Sequence, residues 1–133
     1  MRKIALLTVA AAALMSGPAL HASQRLTGEQ QLAKLLEGRV AEKPVSCLPL
    51  SRTSDARIID KTAIVYDQGN VIYVNRPRFP ESLDSDDIMV TEIHTGELCR
   101  LDTVRLRDRS QFFFTGFVGL EDFVPYRRVA HNN

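Results

Sequence analysis

Apolar positions follow three different spacings along this chain, and each spacing predicts a different element. Ile4 to Met15 is an apolar run behind Arg2 and Lys3, followed by Gly17-Pro18 and small residues up to Ala22. That order predicts a secretory signal peptide over residues 1–22, cut after Ala22 or, as the alternative, after Ala19. The run stops well short of the roughly 20 residues a membrane-spanning helix needs. No cysteine sits directly after either cut to carry a lipid. Leu32, Leu35 and Leu36 then recur at helical spacing. Thr27 and Gln30 stand at the two positions of a capping box and Gly38 stops the stripe, so a short amphipathic helix is predicted over residues 28–37. Residues 39–44 read as a polar connector and complete an N-terminal segment, 23–44.

From Val45 onward the period becomes two. Thr62 to Tyr66 and Val71 to Asn75 flank Asp67-Gln68-Gly69-Asn70, which predicts a β-hairpin. With Gln68 and Gly69 as the turn, Ile64, Tyr66, Val71 and Tyr73 share one face, and Ala63, Val65, Ile72 and Val74 the other. Both faces are apolar, so the hairpin is expected at the centre of a sheet covered on each side, the helix supplying part of one cover. A second hairpin is expected from Ile88–Ile93 through a turn at His94–Glu97 into a strand from Leu98. Cys99 and Leu101 have one parity and Val104 and Leu106 the other, which predicts a bulge or corner near Asp102-Thr103. Asn75 to Asp87 is a long connection that Pro77 and Pro80 keep out of regular structure.

Phe112, Phe113, Phe114, Phe117 and Phe123 crowd the last stretch. Most of this cluster is expected in the core, since a chain without tryptophan needs large side chains there. Three consecutive phenylalanines cannot all face inward from a strand, however, so at least one of Phe112 to Phe114 meets a cover, a partner or solvent. A helical turn is predicted over Leu120–Val124, with Glu121 and Asp122 in its first turn and Pro125 ending it. Residues 127–133 read as a frayed tail. The expected fold is mainly β (α+β): an antiparallel curled sheet or small open barrel over residues 45–126, with one N-terminal helix.

Charge narrows the function classes. The 133 residues carry 17 basic and 16 acidic side chains, and removal of residues 1–22 leaves 15 basic against the same 16. A balance this near neutral argues against non-specific nucleic-acid binding and against a polybasic membrane-surface binder. The mature length suits one domain with a single core. Cys47 and Cys99 are the two cysteines, both in strand-like surroundings, and in an exported chain they most simply form one disulfide. No Cys-x-x-Cys redox motif is present.

Little else carries chemistry. His94 falls in an expected turn and His131 in the expected tail, with no paired-ligand spacing, so no metal site is predicted. Asp84, Asp86 and Asp87 lack the glycine and terminal glutamate of a calcium loop. A Ser–His–carboxylate set would have to use His94, and there is no nucleophile elbow, phosphate loop or dinucleotide fingerprint, so neither a catalytic set nor a cofactor is expected. Arg105, Arg107 and Arg109 alternate on one strand face, and Arg76 and Arg78 flank Pro77. Brought together they would make an anion patch. Pairing with Asp60, Asp84, Asp86 or Asp87 as a plain surface coat is the commoner arrangement.

The segments Cys47-Leu48-Pro49, Arg57-Ile58-Ile59-Asp60, Ala63-Ile64-Val65-Tyr66, Tyr73-Val74-Asn75-Arg76-Pro77, Leu98-Cys99, Asp102-Thr103-Val104 and Phe123-Val124-Pro125-Tyr126 together resemble a family of small exported proteins of Gram-negative bacteria. That family's function is uncharacterised, so the resemblance implies export and no activity. The expected function is a non-enzymatic periplasmic or secreted binding module. Its partner would be an envelope protein or an anionic ligand, with no nucleic acid and no membrane span. By fold analogy the alternative is an inhibitor of an envelope-attacking hydrolase such as a lysozyme or protease, acting through the 75–87 loop. A hydrolase built on His94 is the third reading.

Overall fold

The structure is a computed structural model that describes residues 24–49 and 55–130. The expected leader, the residues at its cut and His131 lie outside the described residues. Helix α1 (Gly28–Leu35) opens with the expected capping box: the Thr27 hydroxyl accepts from the Gln30 N–H at 3.2 Å, and the Gln30 side chain accepts from the Thr27 N–H at 2.9 Å. Leu36 caps the helix, short of the end that the sequence predicts, and Gly38 turns the chain away at φ +70°. Gly28 costs about 1 kcal/mol in helix propensity relative to alanine. Its position explains the choice, because a Cβ there would overlap the Thr62 side chain and the Asp60 carbonyl.

The strands run in chain order β1 (Arg39–Ala41), β2 (Cys47–Pro49), β3 (Asp55–Ile59), β4 (Ala63–Asp67), β5 (Val71–Asn75), β6 (Asp87–Thr91), β7 (Glu97–Cys99), β8 (Thr103–Asp108), β9 (Phe114–Gly119) and β10 (Phe123–Arg128). All described pairings are antiparallel: a five-stranded sheet β1-β10-β5-β4-β3, a pair β2-β7, and a three-stranded sheet β6-β8-β9. None of these sheets closes into a barrel. The mainly β fold with an N-terminal helix is therefore present, arranged in three layers. Leu32, Leu35 and Leu36 of α1 cover one face of the large sheet through Ile59, Ala63, Val65, Ile72 and Val74. The other face packs through Ile64, Tyr66, Tyr73 and Phe123 onto Leu48, Leu98, Val104, Leu106 and Val118 of the two small sheets. The β4–β5 hairpin is central and covered on both sides, as its two apolar faces require.

Several elements differ from the sequence reading. In β4–β5, Asp67 pairs with Ile72 and the Gln68 N–H reaches the Val71 carbonyl, so the turn is Gly69-Asn70, one residue further on. Gly69 takes the positive φ (+82°) that the first turn residue needs. The side-chain faces are unchanged, because the shifted pairing keeps the same parity. Residues 39–44 are not all connector: β1 pairs with β10. The second hairpin forms with other partners. Strand β6 pairs with β8, while β7 leaves to pair with β2. The parity break before Val104 is the corner where the chain passes from one small sheet to the other, with Leu101 at φ +76° and the Asp102 carboxylate accepting from the Cys99 N–H at 2.7 Å.

The predicted helical turn at Leu120–Val124 is absent; those residues lead into β10, and Pro125 lies inside that strand. A strand residue presents its N and O to the same side. The Pro125 carbonyl accepts from the Glu42 N–H at 2.8 Å, on the side where β1 has already ended at Ala41. The missing proline N–H therefore breaks no rung with β5. The tail is not frayed from residue 127 either, since β10 runs to Arg128 and the Val129 N–H bonds the Gly38 carbonyl. The 75–87 connection carries one 3₁₀ turn at Pro80–Ser82 and sends Leu83 into the core.

Cys47 and Cys99 stand directly opposite each other in the β2–β7 pair and are joined by a disulfide. Among the described residues no helix is long and apolar enough to cross a membrane.

Candidate functional site

The large sheet ends at β3 and the three-stranded sheet ends at β6. The space between those two strands is a groove of about 650 Å³, inside the roughly 300–1,000 Å³ typical of ligand sites. Consecutive residues line it: Ala56, Arg57 and Ile58 from β3, and Asp87, Ile88 and Met89 from β6. A sheet face would contribute alternate residues, so the groove walls are strand edges rather than faces. Tyr66 and Leu98, both core residues, form part of its floor.

Tyr66 is 4% exposed, and its ring meets Phe123 edge-on with centroids 5.8 Å apart. Its hydroxyl makes no hydrogen bond among the described residues, and the side chain borders the groove. Burial alone raises the phenol far above its ordinary pKa, so the group is a neutral donor at any physiological pH.

Arg57 and Arg109 also line the groove, and neither is in an ion pair among the described residues. The Arg109 guanidinium reaches only the Ser85 carbonyl, at 3.5 Å. Among the described residues the one carboxylate of the groove, Asp87, is buried and accepts from the Thr115 hydroxyl at 2.7 Å. Two guanidiniums outside any described ion pair, a phenol and an apolar floor suit a ligand that is anionic at one point and apolar beyond it.

The five arginines singled out from the sequence are dispersed. Arg76 grips Glu29 through two bonds of 2.6 and 2.9 Å, which holds the Glu29 carboxyl below its ordinary pKa and raises that of Arg76. Arg78 donates to Glu121 at 3.0 Å, and Arg105 lies 3.1 Å from Glu92. Arg107 donates to the Phe112 carbonyl at 3.2 Å. Arg76, Arg78 and Arg105 are engaged as a surface coat, though with glutamates rather than the aspartates that the sequence suggests. Strand β8 ends at Asp108, so Arg109 leaves the Arg105–Arg107 face and reaches the groove instead. Arg57 carries no sequence signal of its own, because its value comes from β3 being an edge.

The outer face of the three-stranded sheet is aromatic. Register puts Phe117 beside Arg105 and Phe114 beside Arg107, and Phe112 and Phe113 project from the preceding turn. All four phenylalanines are exposed, so the whole Phe112–Phe114 run faces outward and, against the sequence expectation, Phe123 is the one member of the cluster in the core. His94 is exposed in the β6–β7 connection. Cys47, Glu97 and Cys99 come close together, but their sulfurs are joined to each other and offer no thiolate to a metal. Comparison with protein-family models, with curated proteins and with solved structures yields no match.

Proposed function

We propose that this chain is a non-enzymatic binding module of an oxidising compartment, the periplasm or the cell exterior, and that it holds an anionic, partly apolar ligand between β3 and β6. The observation that carries this reading is the groove itself, which Arg57 and Arg109 line outside any described ion pair, over an apolar floor that includes the Tyr66 ring. The formed disulfide and the likeness to small exported proteins support the compartment. The non-enzymatic part rests on the lining, where no histidine or cysteine accompanies Ser85, Asp87 and Thr91.

Titration of the mature chain with decanoate and with random hexapeptides bearing a free carboxylate, followed by backbone amide NMR, tests the site. Shifts should concentrate in β3 and β6. The double variant Arg57→Gln, Arg109→Gln should weaken binding at least about tenfold, since hydrogen bonds to charged groups contribute about 1.5–3 kcal/mol each. Tyr66→Phe should weaken it by a smaller factor without unfolding the protein. Shifts elsewhere, or affinity indifferent to all three positions, would refute the site.

Inhibition of an envelope-attacking hydrolase is a second reading with one observation in its favour. Phe79 is 57% exposed on a loop clamped by Arg76–Glu29, by Arg78–Glu121 and by burial of Leu83. A Phe79→Ser variant should lose inhibition of lysozyme or of envelope proteases. If parent and variant inhibit equally, or neither inhibits, that reading is gone.

A further inference from the structure

The seam between β3 and β6, taken as the binding site proposed for it, has a property beyond its charge and its depth. Both of its walls are strand edges. Among the described residues the outer backbone edges of β3 and β6 make no ladder beyond β4 and β8. The other edges are closed or short: β9 runs against the 75–83 segment, where the Arg78 N–H bonds the Gly119 carbonyl, and β1 is three residues long. Two five-residue edges thus face each other across one groove. Exposed edges normally carry charge, proline or a bulge to discourage pairing. Ile88-Met89-Val90-Thr91 on β6 has none of these.

We infer that the seam receives an extended peptide strand from a partner polypeptide, with a carboxylate of that strand, terminal or side-chain, meeting Arg57 and Arg109. Strand addition depends on the seam being a binding site, whereas the site does not depend on strand addition. The peptide backbone would bond the β3 or β6 edge as an added strand. Alternate side chains would point inward over Ile58, Tyr66, Met89 and Leu98, which supply an apolar bed. The charge of the bed's rim, two guanidiniums against one already engaged carboxylate, selects an acidic strand over a basic one. Backbone pairing explains why consecutive residues, rather than alternate ones, form the walls.

Panning a displayed library of random hexapeptides with free C-termini against the oxidised mature chain tests this. Recovered sequences should alternate apolar residues, carry a carboxylate near one end, and lose at least about tenfold in affinity for the Arg57→Gln, Arg109→Gln variant. In a synthetic copy of the best binder, N-methylation at every second residue should abolish binding, and N-methylation at the intervening residues should leave it within about threefold, because only one set of N–H groups faces the edge. If N-methylation is tolerated everywhere, or if decanoate binds at the seam while no peptide is recovered, strand addition is overturned and the binding site survives. If neither probe binds, both fall.

Discussion

Reduction of the Cys47–Cys99 bridge is expected to lower the unfolding free energy by about 4 kcal/mol, taking the chain-entropy cost of closing a loop of this length. The two cysteines are 52 residues apart in sequence. Typical domains have about 5–15 kcal/mol in total, so the reduced protein should sit near the edge of stability. The effect should be concentrated at one place. Strands β2 and β7 are three residues each and, among the described residues, form a sheet with no third strand, held otherwise by Leu48 and Leu98 in the core. Leu98 also lines the seam, so loosening this pair should weaken ligand binding before the large sheet unfolds. Urea unfolding of the oxidised chain, of the reduced chain and of the Cys47→Ala, Cys99→Ala variant reads the change directly. A loss under about 1 kcal/mol would contradict the structural role given to the bridge.

Phe123→Ala should cost about 3–5 kcal/mol, the range for a large buried ring replaced by a methyl group. Phe123 is fully buried at the meeting point of the large sheet with the two small ones. Its backbone N–H and carbonyl both pair with Val45, so the site cannot collapse easily around the cavity. The ring also holds Tyr66 edge-on, and its removal should let the phenol move away from the seam. Ligand affinity should therefore fall with stability, and Phe123→Leu should restore much of both. Phe117→Ala is the contrast: that ring is 65% exposed, and its loss should change stability by no more than about 0.5 kcal/mol. Denaturant midpoints for the three variants check the ordering; a Phe117 effect as large as that of Phe123 would contradict the assignment of inside and outside.

Residue spacing makes local structure legible. Thr27 and Gln30 specify a helix start through two reciprocal bonds that span three residues, so nothing distant is needed to form it. The two faces of β4–β5 come from a period of two and hold although the turn lies one residue beyond its predicted place, because parity does not depend on which even register is adopted. The parity clash before Val104 likewise requires a corner whatever lies beyond it.

Strand partners and strand edges are not legible in this way, and the candidate site is made of edges. Whether β7 pairs with β6 or with β2, and whether Pro125 interrupts a ladder or sits where a neighbour has ended, depend on chain segments tens of residues away. Arg57 reads as an ordinary strand arginine until β3 is known to be the last strand of its sheet among the described residues. Arg109 reads as part of the Arg105–Arg107 face until β8 is seen to stop at Asp108. By itself the sequence determined the helix, the alternating faces and the identity of the two bridged cysteines, since the first two depend on patterns within a few residues and the third on there being no other cysteine to choose. Only the tertiary structure decided which edges stay unpaired among the described residues and which tyrosine ring is buried beneath them, because pairing is a property of two strands together and burial is a property of all the layers at once.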